Sequence, residues 1–241
     1  MAKIKKIDMS FISFVKRIYL AKSFLASFPL RSEFGKLSKK SVLEYPIFCQ
    51  YPQSVYVDEH VKIRANSKII NSPNERIIFK KYTVASLGLT IVSQNHRSTV
   101  TIPQIILGKS HVNDKFNDII INEDVWIGVN VTILSGASNI GRGAILAANS
   151  VVTKPVPPYA VMAGCPAKII AVKFSKDQIL EHERSLYEPT DRMSIEEIDK
   201  LFTNYYKEKK IFGTGEISSA NKEKIINMKT LEGIKDNSQL L

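Results

Sequence analysis

Aliphatic residues recur at every sixth position in the middle of the chain, at Ile121, Ile127 and Ile133, and one residue later than the period at Ile140, Leu146 and Val152. This period fits neither an α-helix nor a plain strand, so it belongs to a larger repeating unit. The simplest unit is a triangular parallel β-coil whose inward aliphatic side chains stack on the coil below. Residues that tolerate a positive φ angle lie between these positions and predict the corners: Gly128, Asn130, Gly136, Gly141, Gly143 and Asn149.

A less regular set of hexads precedes this stretch, at Val57, Ile63 and Ile69, and after a break at residues 71–76 we expect the register to resume at Ile78 and Val84. These hexads and the later ones predict a coil domain over residues 55–173. The pattern is lost over residues 98–118, which predicts a loop of about 20 residues extruded from the side of the coil. Loops of that length in a compact domain are usually functional.

The N-terminal flank, residues 1–54, is expected to hold a helix over residues 8–30 followed by a connecting segment with short strands. The lysines of this helix are either solvated or rest on an anionic membrane. Because the charges are not confined to one face, a packing helix is the favoured interpretation.

The C-terminal flank contains two capping boxes, Ser175 with Gln178 and Ser194 with Glu197. Each box predicts the start of a helix, which gives a helical extension over residues 174–212. The remaining residues, 213–241, are polar and weakly patterned, and no structure is predicted for them.

The chain is basic, with 34 Lys and Arg residues against 23 Asp and Glu residues and a net charge of +11. This charge suits phosphate groups on a nucleic acid, an anionic membrane or a phosphorylated cofactor. Nucleic acid is disfavoured because the aromatic residues are not interleaved with a basic stripe. The two cysteines, Cys49 and Cys165, are too far apart for a metal knuckle. Since no stretch is long and uncharged enough to span a membrane, we expect a cytoplasmic protein whose N-terminal segment is the candidate contact with the inner face of the membrane.

Three motifs accompany the hexads: VWIG at 125–128, AANSVVTK at 147–154 and GCPAK at 164–168. Together they make the chain resemble the hexapeptide-repeat acyltransferases, and within them the branch of galactoside, maltose, xenobiotic and surface-polysaccharide O-acetyltransferases. The resemblance implies a mainly β fold, a left-handed parallel β-helix with an N-terminal helix and a C-terminal helical extension. Left-handedness comes from the family alone, because generic crossover chirality favours the opposite hand. The family also implies acetyl-CoA as co-substrate and a homotrimer with sites between subunits.

The resemblance assigns the general base to His96, which lies at the end of a coil immediately before the extruded loop. A sugar hydroxyl is a poor nucleophile at neutral pH, and an imidazole is suited to accept its proton. Relatives often carry an acidic residue just before this histidine, whereas this chain has Asn95, an amide that is a candidate orienting partner. The alternative for His96 is a corner histidine bonded to nearby backbone.

The resemblance also implies a donor-binding edge. Trp126 is expected beside the acetyl and pantetheine end of the donor, on the opposite face from Val125 and Ile127. The alternatives are ordinary repeat packing for the small residues and solvated charges for the lysines. The donor residues implied are Trp126, Gly128, Ala148 and Ser150 along the pantetheine arm, and Thr153, Lys154 and Lys168 towards the phosphates.

A zinc site is not predicted. Carbonic anhydrases of the γ class share the coil architecture and bind zinc through three histidines. Here His60, His96 and His111 lack a recognisable metal-ligand spacing. His182 is expected on an exposed helical face, and His60 at a coil corner.

The function expected is acetyl-CoA-dependent O-acetylation of a sugar hydroxyl in bacterial surface polysaccharide biosynthesis, by direct attack and without an acyl-enzyme. Acetylation of an amino sugar or of an antibiotic hydroxyl is the alternative use of the same site. A non-catalytic β-helix scaffold is the alternative of a different class. The sequence does not identify the acceptor.

Overall fold

Strands of two to four residues repeat along the chain in groups of three, and the three strands of each group join three different sheets. Five such groups form five coils in this computed structural model, which describes residues 14, 16–18 and 28–234. In chain order the coils consist of β1 (Lys36–Leu37), β2 (Val42–Leu43) and β3 (Ile47–Cys49); β4 (Val55–Val57), β5 (Lys62–Ile63) and β6 (Ser67–Ile70); β7 (Ile77–Phe79), β8 (Val84–Ala85) and β9 (Thr90–Val92); β10 (Ile119–Ile121), β11 (Trp126–Ile127) and β12 (Thr132–Leu134); and β13 (Asn139–Ile140), β14 (Ile145–Leu146) and β15 (Val151–Val152).

Strands at the same position in successive coils pair in parallel, so the three sheets form the three sides of the stack of coils. The first coil starts at Lys36, ahead of residue 55, so the segment expected to be a connection contains a complete coil. Of the helix expected over residues 8–30, Phe14 and residues 16–18 are helical, and most of the remainder lies outside the described residues. In the described part of the chain, no helix has both the length and the apolar character needed to cross a membrane.

The hexad side chains stack in three columns inside the coil. Ile121, Ile127 and Ile133 are fully buried, as are their register partners Ile140 and Leu146. Burial of each column removes apolar surface from water along the whole coil, at about 25 cal/mol per Å². The six-residue period is therefore confirmed as the spacing from one side of the coil to the next.

The register expected at Ile78 and Val84 is wrong by one residue. Phe79 and Ala85 are fully buried and stack on Ile121 and Ile127, whereas Ile78 is partly exposed and Val84 is exposed. A shift of one residue in a strand moves each side chain to the opposite face.

Two of the coil corners are columns of left-handed residues. His60, Tyr82, Asp124 and Gly143 have φ between 55° and 67° at the corner between the first and second sheets. The next corner has Asn66, Gly88, Asn130 and Asn149 at positive φ. Gly143, Asn130 and Asn149 thus have the corner conformation expected of them, and His60 is a corner residue. Gly128, Gly136 and Gly141 do not have positive φ; their Cβ atoms would lie within 2.8 Å of backbone in the next coil.

The segment that interrupts the coil runs from the end of β9 to the start of β10 and contains α1 (Gln104–Ser110). The sequence predicts this extrusion but not the short helix inside it. Leu107 is fully buried, while Val100, Ile105 and Ile106 are exposed. The extruded segment is thus anchored at one apolar residue and presents others outward.

After the last coil the chain folds back on itself. β16 (Ala160–Gly164) pairs in parallel with β14 and antiparallel with β17 (Ala167–Val172), which pairs with β18 (Lys210–Ile211). The remaining helices are α2 (Lys176–Leu186), α3 (Ile195–Leu201) with a π-helical turn over Phe202–Tyr206, α4 (Ser219–Glu232), and three short 3₁₀ turns at Arg31–Glu33, Pro52–Ser54 and Pro189–Asp191.

Both predicted capping boxes are present. Ser175 accepts from the Gln178 amide and Ser194 from the Glu197 amide, with the side chains of Gln178 and Glu197 bonding back. The α4 helix lies in the segment for which no structure is predicted; it has no buried residue. A helix without a buried face gives no apolar periodicity, so the sequence pattern could not predict it.

An ion network attaches α2 to the coil. The Asp124 carboxylate, at a corner of the fourth coil, lies 2.6 Å from Lys173 Nζ and 3.1 Å from His182 Nε2. His182 also packs on the rings of Phe174 and Tyr159, so it is not the exposed helical residue expected from the sequence. Burial raises the pKa of the Asp124 carboxyl, but the bonds from His182 and Lys173 outweigh burial and hold that pKa below its usual range.

The register can be tested by comparing neighbours in β7. Phe79→Ala should lower the free energy of unfolding by about 3–5 kcal/mol because it leaves a cavity in a buried column. Ile78→Ala should cost about 1 kcal/mol or less because this side chain is partly exposed. Urea unfolding measures both. Equal losses in the two variants would contradict the register.

The Asp124 network predicts a pH-dependent stability. The pKa of Asp124 is lower in the folded protein than in the unfolded chain. Its contribution to the free energy of unfolding is therefore complete above the ordinary aspartate pKa of about 3.9, and it is lost as the pH falls through the folded pKa. Asp124→Asn should lower the free energy of unfolding at pH 7 by roughly 2 kcal/mol. In thermal unfolding, the difference in Tm between wild type and Asp124→Asn should disappear below about pH 4.

The matched control for this network is Asp58→Asn, which removes an exposed ion pair with Lys36 at 2.6 Å. It should cost less than about 1 kcal/mol. A cost for Asp124→Asn no larger than the control, or a gap that widens in acid, would show that the network does not hold α2.

Candidate functional site

The interruptions of the coil lie side by side and position His96. Directly after β9, the buried Ser93 hydroxyl donates to Glu75 at 2.5 Å, and the Gln94 amide donates to the Asn71 carbonyl at 2.5 Å. Asn71 and Glu75 belong to the earlier break in the hexads at residues 71–76. That insertion therefore fixes the chain immediately before His96.

A carboxylate from the extruded segment holds the His96 ring. Asp114 Oδ2 lies 2.9 Å from His96 Nδ1, and the Asp114 side chain is only 3% exposed. The other oxygen, Oδ1, accepts from the Arg97 amide at 3.2 Å. Asp114, not Asn95, is therefore the group that orients the imidazole among the described residues; Asn95 is exposed.

His111 is a second imidazole on the same carboxylate. It ends α1 in the left-handed conformation, with φ of 53°, and its Nδ1 lies 3.0 Å from Asp114 Oδ2. The two rings are 5.2 Å apart between centroids. One buried carboxylate thus joins the start of the extruded segment to its end.

The hydrogen bonds to Asp114 determine which nitrogen of each imidazole carries the hydrogen. Burial raises the pKa of Asp114, but the hydrogen bonds from His111, His96 and the Arg97 amide hold that pKa below its usual range. An ionised carboxylate only accepts hydrogen bonds, so the His96 and His111 nitrogens that contact it carry the hydrogen. In neutral His96 the lone pair is then on Nε2.

The Nε2 side of His96 is accessible. The His96 side chain is 30% exposed, and a methyl group at Gly108 would lie 3.9 Å from Nε2, at ordinary contact distance. Gly108 of α1 therefore borders the basic nitrogen without filling the space around it. The arrangement can remove a proton from a hydroxyl or amine brought to Nε2.

The same three groups could instead hold a cation. In the described part of the chain, His96, His111 and Asp114 form a group whose ligand atoms lie within 4.8 Å of one another. A bound cation would replace the hydrogen bonds between them, so metal binding and base chemistry are alternative uses of these atoms. His60, the third histidine weighed in the sequence, is not in the group.

Two predicted donor residues lie on the outside of the coil. Trp126 is 50% exposed, while Val125 and Ile127 are buried, which is the orientation expected from the alternation of the strand. Ala148 is exposed at the neighbouring corner. Gly128 has a packing role, because a Cβ there would lie 2.7 Å from the Ala148 amide nitrogen.

The Ser150 side chain points into the coil, so only its backbone is left for the donor contact that the resemblance implies. It is fully buried, and its hydroxyl has no hydrogen-bond partner in the described chain. It follows Asn149, where the corner turns the next side chain inward. Thr153 is partly buried, and a Cβ at Gly136 would lie 2.4 Å from its carbonyl oxygen.

Lys154 and Lys168 line one cavity of about 640 Å³, between the end of the coil and the C-terminal extension. Both lysines are exposed. The structure therefore brings together the two cations that the resemblance assigns to the phosphate end of a donor.

Asp114 and His111 were missed as orienting groups by sequence reasoning. A histidine and an aspartate three positions apart, within the segment that follows His96, are the signal that could have identified them. This signal is informative only if the segment is known to fold back on His96, because the two residues in contact, His96 and Asp114, are 18 positions apart.

Known proteins resemble this chain in part of its sequence and in its architecture. No model of a known protein family matches the chain. A probable macrolide acetyltransferase of Lysinibacillus sphaericus is 55% identical over 62 residues, which cover 26% of this chain and 34% of the relative. A chloramphenicol acetyltransferase of Morganella morganii is 47% identical over 62 residues, covering 26% and 29%. The chain thus matches about a third of the length of these relatives.

A solved structure extends the likeness over a larger share of the chain. The hexapeptide-repeat acetyltransferase of Vibrio cholerae O1 biovar eltor, complexed with acetyl coenzyme A, has a TM-score of 0.53 and 26% identity. The match covers 64% of this chain and 78% of that one. The hexads, the parallel sheets and these similarities support placing the chain in the hexapeptide-repeat acetyltransferase superfamily.

Proposed function

We propose that this protein is an acetyl-CoA-dependent O-acetyltransferase with a left-handed β-helix, acting on a sugar hydroxyl. The observation that carries the proposal is the 2.9 Å contact between His96 Nδ1 and the buried Asp114 carboxylate, which leaves Nε2 as an accessible base. Similarity to acetyltransferases supports acetyl transfer, and the Vibrio cholerae structure with bound acetyl coenzyme A supports the donor.

In the proposed reaction His96 Nε2 accepts the acceptor's hydroxyl proton as its oxygen attacks the thioester carbonyl. A tetrahedral intermediate forms, the carbon–sulfur bond breaks, and the proton on the imidazolium passes to the departing thiolate. Asp114 keeps the ring in the required tautomer and stabilises the imidazolium. Direct attack needs no acyl-enzyme and no nucleophilic side chain.

The donor is proposed to lie along the outer edge of the last coils. Trp126 is half exposed and would shield the thioester, and Ala148 offers a small exposed surface beside backbone amides. Lys154 and Lys168, at the shared cavity, would pair with phosphates. The buried Ser150 contributes backbone only.

The acceptor is proposed to approach from the extruded segment, where Gly108 borders His96 Nε2. A saccharide of bacterial surface polysaccharide is the acceptor favoured by the family branch. An antibiotic hydroxyl is the second candidate, and it is favoured by the identity of 55% over 62 residues with the probable macrolide acetyltransferase. Both acceptors present a hydroxyl to the same base; an amine would use it too.

Assembly as a homotrimer, with each site between two subunits, is part of the proposal. The extruded segment presents Val100, Ile105 and Ile106 at 87%, 68% and 51% exposure. Large apolar side chains grouped on a projecting segment are typical of surfaces that another chain or a ligand covers. A partner subunit would supply that cover and bring a second donor edge to His96.

The base assignment predicts separate effects on turnover and binding. His96→Ala should lower acetyl transfer by at least about a hundredfold while acetyl-CoA binding by calorimetry stays intact. Asp114→Asn should lower turnover about 10²–10⁴-fold, because an amide can select the wrong tautomer. Thiol release is measured with a panel of galactoside, maltoside, chloramphenicol and macrolide acceptors.

Asn95→Ala is the control for this experiment, because Asn95 is exposed and precedes His96 without orienting it. Its turnover should stay close to that of wild type. Full activity in His96→Ala, or a loss in Asn95→Ala as large as in Asp114→Asn, would remove the proposed roles. A wild-type protein that binds no CoA would be a scaffold rather than an enzyme.

The phosphate assignment predicts a difference between two donors. Lys154→Met should weaken CoA binding about tenfold, but dephospho-CoA binding much less, if Lys154 pairs with the ribose phosphate. Lys39→Met, which removes an exposed lysine remote from the cavity, should leave both affinities unchanged. Equal weakening of both donors by Lys154→Met would exclude this pairing.

A further inference from the structure

The cavity that holds Lys154 and Lys168 has a third cation from the C-terminal extension. Lys209, just before β18, lines it as well, so the three lysines come from the end of the last coil, from β17 and from the extension. No carboxylate lines the cavity. Within the described chain, none of the three ammonium groups lies within 4.0 Å of a carboxylate oxygen. The cavity therefore favours an anion with several negative charges.

Beside the lysines and two asparagines, Asn139 and Asn204, the lining is apolar and aromatic. Val156, Met162 and Leu201 lie at or near the buried core, and the half-exposed ring of Tyr205 is part of the same lining. A simple phosphate ion would need no such surface. At about 640 Å³ the cavity is of the size that binds an organic ligand rather than an ion.

The position of Tyr205 is fixed by the π-helical turn that follows α3. Tyr206, the next residue, is buried, and its hydroxyl donates to the Pro158 carbonyl at the base of the cavity. Burial raises the pKa of Tyr206, so this phenol stays a neutral donor. Because Tyr206 attaches the turn to the coil, Tyr205 stands at the rim with 47% of its surface exposed. Single π-turns of this kind occur often at functional sites.

We propose that the C-terminal extension completes the nucleotide-binding part of the donor site, with Tyr205 stacking on the adenine base and Lys209 pairing with a phosphate. The assignment rests on the proposed function in one respect, that the nucleotide is the adenosine bisphosphate end of acetyl-CoA. A flat base matches the aromatic and apolar lining, and the phosphates match three lysines without a carboxylate. The sequence motifs of the coil identify Lys154 and Lys168 but give no role to the extension.

Calorimetry of the full chain with adenosine 3′,5′-bisphosphate and with CoA tests this assignment. Tyr205→Leu should weaken both ligands at least about fivefold, because base stacking on an aromatic ring is lost. Tyr205→Phe keeps the ring and should bind within about twofold of wild type. Lys209→Met should weaken both about tenfold and make binding less sensitive to salt.

The matched control is Lys207→Met, an exposed lysine two positions away that does not line the cavity. It should bind both ligands like wild type, and circular dichroism should show all variants folded. If wild type binds CoA and Tyr205→Leu or Lys209→Met binds it equally well, the role of the extension is overturned while the proposed function stands. If wild type binds neither ligand, both are overturned. If wild type binds both ligands but transfers no acetyl group to any acceptor, only the proposed function is overturned.

Discussion

Parallel pairing between successive coils is the constraint on which the rest of the structure depends. Each strand is only two to four residues long and cannot be stable alone, so its backbone bonds and its inward side chain both depend on the coils above and below. The column that contains Phe79, Ile121 and Ile140 shows the result: buried residues of successive coils lie in register along the axis. Both insertions follow a strand of the third sheet, and after each one the chain returns to the register of the first sheet.

The candidate site is built from these two insertions. The insertion at residues 71–76 bonds to Ser93 and Gln94, and the longer one after β9 returns Asp114 to His96. The rigid coil therefore fixes the backbone of the histidine, while the extruded segment supplies its buried carboxylate and Gly108 beside Nε2. At the other end of the coil, Asp124 attaches α2, and Tyr206 attaches the π-turn that presents Tyr205. The proposed catalytic base and the proposed nucleotide cavity thus lie where the repeat is interrupted or ends.

Much of the fold could be predicted because the buried positions of a repeat recur many times at a fixed spacing in the sequence. From Ile121 to Val152 the hexads, and at Ser175 and Ser194 the capping boxes, are where the structure has them. The slip to Ile78 and Val84 arose because the adjacent aliphatic residues in β7 give no alternation. His96 could be selected as the candidate base from its place before the loop, but its contact with Asp114 could not be predicted, since that contact depends on how the extruded segment folds back. The inward turn of Ser150 and the cavity shared by Lys154, Lys168 and Tyr205 likewise depend on tertiary packing, to which local spacing is insensitive.

The central claim is that Asp114 holds the proton on His96 Nδ1 and leaves Nε2 as the base. Nitrogen-15 NMR of the imidazole rings at a pH of about 9, where neutral imidazole prevails, tests it most directly. The chain has four histidines, and a His96→Gln variant assigns the His96 signals. We predict that the His96 ring carries its proton on Nδ1 and that Asp114→Asn changes this tautomer. A His96 ring protonated on Nε2 in the wild-type protein would contradict the account.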